Sequence, residues 1–305
     1  MANCLIGLGS NLGDRTAALQ AALSEIDSLP LTQLVRHSGW HAFPTIGGPS
    51  HQPDFLNAAA VVETSLTPFA LFEQLAQIEI KHGRRRAERW AARTLDIDLL
   101  LYEDRVVDTP SLVVPHPRMS YRRFVLQPAA EIASDMVHPI IGWKVSQLAG
   151  HLDWARDWAA IVSQSQLDRR ELCELAITRF GAKMIEPPIL SATSNEALWP
   201  RSLTTWLAFP EAQGKRIEST GQPVSDAQRQ FPEIKLPKLT ILVDAPTSEE
   251  SGDSSIDWPK LRQQPGRGPT LWVRTADRAE AACELSAAIE SVWTHLGRQG
   301  DTRVE

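Results

Sequence analysis

Two carboxylates, Asp96 and Asp98, stand two residues apart in Arg93–Tyr102, RTLDIDLLLY. The segment reads as a β-strand, with Leu95, Ile97, Leu99 and Leu101 alternating down one side. Residues i and i+2 of a strand share a face, so the two carboxylates would lie roughly 7 Å apart at Cα. Leu100 and Tyr102 are expected to continue that face. Charges so placed repel unless something cationic sits between them. Mg²⁺ suits the pair, because it is held by one or two carboxylates together with substrate phosphates. An edge strand with a solvated polar face is the plainer alternative.

The preceding loop, GRRRAERWAART, crowds Arg84, Arg85, Arg86, Arg89 and Arg93 into a chain whose net charge is −6. Guanidinium forks match phosphate oxygens. A solvated charge run is the alternative, but this one leads directly into the aspartate strand. Arginines beside a metal-binding pair are what a polyphosphate–Mg²⁺ complex needs, since phosphoryl transfer asks mainly for positioning and charge neutralisation. Trp90 is a large apolar residue among these arginines, suited to closing over a ligand or to a core position. Further along, HPRMSYRRF supplies His116, Arg118, Arg122, Arg123 and Phe124. His116 lies between two prolines and is held in a turn, either for structure or for phosphate binding and proton transfer. PDFLNAA puts Phe55 and Asn57 on one strand face. An aromatic plane with a carboxamide that both donates and accepts suits a flat heterocycle, although mixed strand faces are common. GLGSNLGDR is glycine-rich after a strand but is neither a dinucleotide fingerprint nor a P-loop.

The elements that would carry these residues follow from periodicity and punctuation. NCLIGLGSN reads as a strand, and Asp14 caps a helix through DRTAALQAALSEIDSL. LTQLVRHSGW is a second strand, residues 41–54 a loop, and FLNAAAVVET a third strand. Thr67 and Pro68 open a helix that Gly83 ends, ahead of the aspartate strand. The order β-α-β-β-α-β predicts an α+β, ferredoxin-like sandwich. Loops 41–54 and 83–93 are long for a compact domain, a length usually tied to function. SLVVPHPRMSYRRFVLQPAAEI adds a strand, a turn and a helix, and the pattern runs down near residue 160.

A chain of 305 residues suggests two domains, here 1–162 and a smaller α/β domain over 163–305. In the latter, RRELCELAITRFGAKMIEP reads as a helix ended by Gly181 and followed by a strand. KLTILVDAP and PTLWVRTA are strand candidates, and a closing helix runs from Asp277 to Gly297. The acidic balance gives no general attraction to nucleic acid or anionic membrane. No run of about 18 apolar residues occurs. Three scattered cysteines (Cys4, Cys173, Cys283) form no metal spacing and point to a reducing cytoplasm.

In order and spacing, GLGSNLGDR, PDFLNAA, ETSLTP, IEIKHGRRRAERWAARTLDIDLLLY and VPHPRMSYRRFVLQPAAEIA resemble the 6-hydroxymethyl-7,8-dihydropterin pyrophosphokinase family over about residues 3–160. The resemblance implies transfer of pyrophosphate from ATP to the pterin hydroxymethyl oxygen, with AMP released. It implies two Mg²⁺ ions on Asp96 and Asp98, with Arg84 and Arg93 completing the catalytic set. Arg84, Arg86, Trp90, Arg93, His116 and Arg122 would bind ATP, with Glu79 and Leu99 near its nucleoside. Pro44, Phe55, Asn57, Trp90 and Phe124 would bind the pterin, and loops 41–54 and 83–93 would act as lids. Ala91 and Ala92 replace the family's Gly-Pro, Thr45 stands as an insertion, and Ala76 replaces a nucleotide-facing polar residue. A different lid geometry is therefore expected. Beyond residue 165 the resemblance stops. LAITRFGAKMIEP and KLTILVDAP resemble fragments of a deoxynucleoside-kinase-like domain without its phosphate loop. That half is expected to be a remnant, a docking surface or a dimerisation unit. A non-catalytic pterin or nucleotide sensor and a Mg²⁺-dependent phosphohydrolase are the competing functions. The carboxylate pair counts against the first, and Phe55, Asn57 and Phe124 against the second.

Overall fold

The structure is a computed structural model that describes residues 1–46, 52–83, 93–163, 165–187, 203–210, 236–243, 268–275 and 277–294. Its contacts divide the chain into two units, parting between Asp153 and Trp154. Among the described residues no helix is long and apolar enough to cross a membrane.

In the first unit β1 (Ala2–Ser10) leads into α1 (Arg15–Asp27). Asp14 caps that helix by accepting from the Ala17 N–H at 3.0 Å. Next come β2 (Thr32–His37), β3 (His41–Phe43) and β4 (Phe55–Thr64). The helix α2 (Pro68–Lys81) follows, with the Thr67 hydroxyl accepting from the Ala70 N–H and Pro68 in its first turn. Then come β5 (Asp96–Tyr102), the short pair β6 (Val107–Asp108) and β7 (Val113–Val114), a 3₁₀ turn at Met119–Tyr121, α3 (Arg123–Ala133) and α4 (Val145–Trp154). The sheet order is β2-β4-β1-β5, all antiparallel, with β3 also on β4.

One sheet face is apolar and carries α1 and α2. Ile6, Leu8, Leu19, Ile26, Leu71, Leu75, Ile78, Leu95, Ile97 and Leu99 form its buried core. Burying each such side chain is worth about 1.5–3 kcal/mol, so the inner row of β5 anchors that strand firmly. The helix α3 packs on β4, β1 and β3; its buried Val125, Leu126 and Ala129 are not part of the α1–α2 core, so it covers the other face.

Two details differ from the alternation and punctuation of the sequence. Opposite β1 the register slips between Leu5 and Ile6, where β5 carries Leu100 as an extra residue. Leu100 stays on the carboxylate face, against Gly7. After the slip, however, Tyr102 turns to the helix side and joins the core, and its hydroxyl donates to the Leu66 carbonyl at 2.6 Å. Leu101, opposite Leu5, takes the carboxylate side instead. Within the expected loop 41–54, His41–Phe43 is a strand on the same edge of β4 that β2 occupies further along. Ser38 spans the gap between β2 and β3: its N–H donates to the Ala59 carbonyl, and its hydroxyl accepts from the Ala59 N–H, both at 2.9 Å.

The second unit holds β8 (Trp158–Ser163), α5 (Gln166–Phe180), β9 (Lys183–Ile185), β10 (Thr204–Ala208), β11 (Leu239–Val243), β12 (Thr270–Val273) and α6 (Arg278–Val292). The sheet order is β12-β11-β8-β10-β9, parallel across β12-β11-β8 and antiparallel beyond. Gly181 ends α5 at φ +66°, and the Asp277 carboxylate caps α6. The strand Trp158–Ser163 lies where the sequence pattern runs down. It pairs on both sides within this second sheet, so the units part ahead of the expected boundary at 162. The closing helix ends at Val292, and Gly297 lies outside the described residues.

Candidate active site

The site is built across the strands. Asp96 of β5 pairs with Gly9 of β1, Gly9 with Asn57 of β4, and Asn57 with His41 of β3. Partners in register share a face, so these four positions form one row on the side away from α1 and α2. A second row runs from Asp98 through Gly7 to Ala59. Two strand spacings, about 10 Å, separate the backbones of Asp96 and Asn57. Glycine between them leaves the floor clear. A Cβ on Gly9 would stand 3.1 Å from Asn57 Oδ1 and 3.4 Å from Phe55 Cδ1.

Cations and a histidine surround the carboxylates. Arg93 Nη1 lies 2.5 Å from Asp96 Oδ1. His116 Nε2 stands 3.8 Å from Asp98 Oδ2. The His116 N–H donates to the Leu100 carbonyl at 2.9 Å, which hangs the histidine on the outer edge of β5. Its Nδ1 accepts from the Arg118 N–H at 3.2 Å, so the neutral ring carries its proton on Nε2, towards Asp98. Burial first, then the positive charges of Arg122 and Arg118, push the His116 pKa down to about 3 against the pull of Asp96. The ring is neutral at pH 7. Burial also lowers the Arg122 pKa, while Asp98 and Asp96 raise it, which puts its guanidinium within their field. That guanidinium lies over the Phe124 ring, 5.2 Å from the centroid. Glu79, only 4% exposed, uses Oε1 to accept from the Ile97 N–H at 2.7 Å. It thereby holds the strand between the two aspartates.

The Asn57 end is aromatic. Phe43 is in register with Phe55 and meets Phe124 edge-on, centroids 6.4 Å apart. His41 stacks on Phe43, and its Nε2 lies 2.7 Å from Glu131 Oε1 on α3. The Glu131 Oε2 accepts from the Gly39 N–H at 3.0 Å. The Nδ2 of Asn57 is buried and, among the described residues, has no hydrogen-bond partner. A buried donor left unpaired costs about 1–3 kcal/mol, which makes this atom a candidate ligand contact.

Asp96, Asp98, Arg93, His116, Arg122, Phe55, Asn57 and Phe124 thus converge on one face, and Pro44 follows β3 directly. Leu99 points into the α1–α2 core, so only its backbone faces outward. Arg84, Arg85, Arg86, Arg89, Trp90 and the Ala91–Ala92 departure lie outside the described residues. Sequence reasoning passed over Asn11, His41, Phe43 and Glu131. For Asn11 there was no local signal, because its partners are 41 to 82 positions away. For Phe43 and His41 the signal was their even spacing ahead of Pro44. Among the described residues no group of three or more His, Cys, Asp or Glu is placed to hold a metal. Two carboxylates alone fit Mg²⁺, whose remaining ligands are commonly phosphate oxygens and water.

Comparison with known proteins gives a consistent result. A family model described as 7,8-dihydro-6-hydroxymethylpterin-pyrophosphokinase (HPPK) matches residues 5–134. A Haemophilus influenzae protein named 2-amino-4-hydroxy-6-hydroxymethyldihydropteridine pyrophosphokinase is 44% identical over 154 residues, covering 50% of this chain and 96% of that protein. A Synechocystis protein of the same name is 41% identical over 154 residues, covering 50% of this chain and 78% of that protein. Among solved structures, an HPPK-DHPS in complex with substrates aligns over 50% of this chain and 43% of that chain, at TM-score 0.39 and 12% identity. The first unit is a mixed α/β domain with an antiparallel sheet. The chain belongs to the HPPK family.

Proposed function

We propose that the protein transfers the pyrophosphoryl group of ATP to the hydroxymethyl oxygen of 6-hydroxymethyl-7,8-dihydropterin, giving the pterin diphosphate and AMP. The observation that carries this reading is the cross-strand row Asp96–Gly9–Asn57, with Phe55 beside it. The backbones of Asp96, with its cations, and of Asn57, whose buried donor has no partner among the described residues, are two strand spacings, about 10 Å, apart. That spacing suits a molecule whose ring sits at Asn57 and whose side arm reaches the phosphates. The names of the relatives at 41–44% identity support the same reaction.

In this reading the ring lies between Phe55 and Phe124, and Asn57 hydrogen-bonds its polar edge. Pro44, directly after β3, is assigned to the ring, as is Trp90, which lies outside the described residues. Arg84, Arg86, Arg93 and Arg122 neutralise phosphate oxygens, and His116 donates from Nε2 to one of them. Glu79 and the backbone of Leu99 lie towards the nucleoside. Two Mg²⁺ ions held by Asp96 and Asp98 would supply charge neutralisation and alignment of the attacking and leaving oxygens. The hydroxymethyl oxygen attacks the β-phosphorus, the bond from that phosphorus to the α,β-bridging oxygen breaks, and AMP departs. The frame is a ferredoxin-like βαββαβ sandwich, supported by the order β2-β4-β1-β5, with β3 as an addition. The second unit supplies none of these groups. The cytoplasm, which supplies ATP and keeps thiols such as Cys4, Cys173 and Cys283 reduced, is the proposed compartment.

The test is product analysis with ATP, Mg²⁺ and the pterin. Pterin-dependent AMP supports the transferase. ADP with phosphate, or AMP formed without pterin, refutes it. Asp96→Ala and Asp98→Ala should each lower turnover by more than about 100-fold, beyond the cost of losing an outer-shell metal partner, with far-UV circular dichroism unchanged. A loss under tenfold would refute the metal assignment.

A further inference from the structure

The chemistry proposed above divides between a phosphate side, at Arg93, Asp96 and Asp98, and a ring side, at Phe55 and Asn57. One side chain touches the chain entering both. Asn11 directly follows β1 and is 1% exposed. Its N–H donates to the Arg93 carbonyl at 3.1 Å, and its Oδ1 accepts from the Arg93 N–H at 2.7 Å. Arg93 is therefore clasped at both backbone groups, and its guanidinium is the one on Asp96. The Nδ2 of Asn11 donates the other way, to the Gln52 Oε1 at 3.3 Å and the Pro53 carbonyl at 3.4 Å. The Pro53 carbonyl also accepts from the Thr45 hydroxyl at 2.7 Å, and Arg15 Nη1 donates to the Asp54 carbonyl at 2.6 Å. The next residue is Phe55, the first of β4.

A carboxamide accepts at one end and donates at the other. A carboxylate in its place keeps the acceptor for Arg93 but has nothing to give Pro53. A methyl group keeps neither. We propose that Asn11 is a positioning residue that fixes Arg93 relative to the start of β4, and so sets the spacing between the two substrates. The inference rests on the pyrophosphokinase reading for its functional consequence, while the mechanical link is a property of the fold.

The experiment compares Asn11→Ala and Asn11→Asp with the parent. An error of about 1 Å in placement costs about 100-fold in rate. Asn11→Ala should therefore lose about 10- to 100-fold in kcat, while the Kd of a nonhydrolysable ATP analogue with Mg²⁺ stays within about threefold. Asn11→Asp should recover most of the kcat, because the Arg93 acceptor returns. It should still show a raised KM for the pterin, because Pro53 loses its donor. Parental kcat in Asn11→Ala overturns the proposal. So do identical kcat and KM changes in the two variants, and a rate loss that disappears on correction for the folded fraction. Amide hydrogen exchange supplies the readout that needs no activity. Peptides covering 52–56 and 93–96 should both exchange faster in Asn11→Ala, and no acceleration in either overturns the link. Failure of the parent to make AMP would refute the pyrophosphokinase reading alone, because the exchange result still decides the role of Asn11.

Discussion

Gly9→Ala is the sharpest perturbation of the site, because it adds one methyl between its two halves. The new Cβ would lie 3.1 Å from Asn57 Oδ1, about 0.3 Å inside ordinary contact, and 3.4 Å from Phe55 Cδ1. The backbone of Gly9 has no positive φ that alanine would resist. Replacing glycine by alanine at such a position tends to stabilise by about 0.4–1 kcal/mol through the unfolded chain, which roughly offsets the crowding. The Tm should therefore move by only a few degrees. Binding is affected differently. Asn57 is buried and must shift or rotate by a few tenths of an ångström. If its carboxamide loses the geometry for two hydrogen bonds of about 0.5–1.5 kcal/mol each, pterin affinity falls by roughly 5- to 150-fold. The assay is pterin Kd by fluorescence in the presence of Mg²⁺ and a nonhydrolysable ATP analogue, with the analogue's own Kd measured separately. The analogue should bind within about threefold of the parent. Gly7→Ala is the control: the nearest neighbours of its Cβ would be atoms of the buried Leu100 side chain, from 3.3 Å, rather than Asn57 or Phe55. Pterin binding by Gly9→Ala at the parental level would refute the reasoning, as would an equal loss in Gly7→Ala.

Two further predictions concern stability. Glu79→Ala removes the acceptor of a buried backbone N–H at Ile97 and should cost about 1–3 kcal/mol in urea unfolding. Glu79→Gln retains an oxygen acceptor and should recover most of that; equal losses would show that the charge matters and the hydrogen bond does not. His138 is 6% exposed, and burial pushes its pKa down to about 4. The unfolded histidine, near 6.5, binds the proton first. Stability is therefore fully present above about pH 6.5, falls as the pH drops towards 4, and levels off below that. The full excursion is about 3 kcal/mol at most. His116, depressed to about 3, adds to this loss and carries it on below pH 4, towards pH 3. Urea midpoints at pH 7.5 and 5 measure it. His138→Gln should flatten the dependence, and an unchanged slope would refute the assignment to His138.

Much of this architecture is legible in the residues, and what is not has identifiable causes. Asp14, Thr67, Gly181 and Asp277 punctuate helices because their side chains or backbone freedom act locally, within three or four residues. The Asp96–Asp98 face is legible because period-two alternation holds up to Leu100. It fails at Leu101, just past the extra residue Leu100, because the register slip against β1 depends on a partner strand some 95 positions away and not on local composition. The strand Trp158–Ser163 shows no alternation because it is buried on both faces between β11 and β10. His41–Phe43 is a strand only because β4 offers an unpaired edge there. Asn11 reads as an ordinary loop residue, since its partners Gln52, Pro53 and Arg93 are all remote in sequence.

The location of β5 at the margin of its sheet carries one more consequence. A marginal strand presents free amides and carbonyls that can recruit a strand from another molecule, the first step towards aggregation. On β5 the outward Ile97 N–H is taken by the Glu79 carboxylate, and the Leu100 carbonyl is taken by the His116 N–H. The groups that set the aspartates in place therefore also make that margin unattractive to a foreign strand, and weakening Glu79 should expose the protein to aggregation as well as to unfolding.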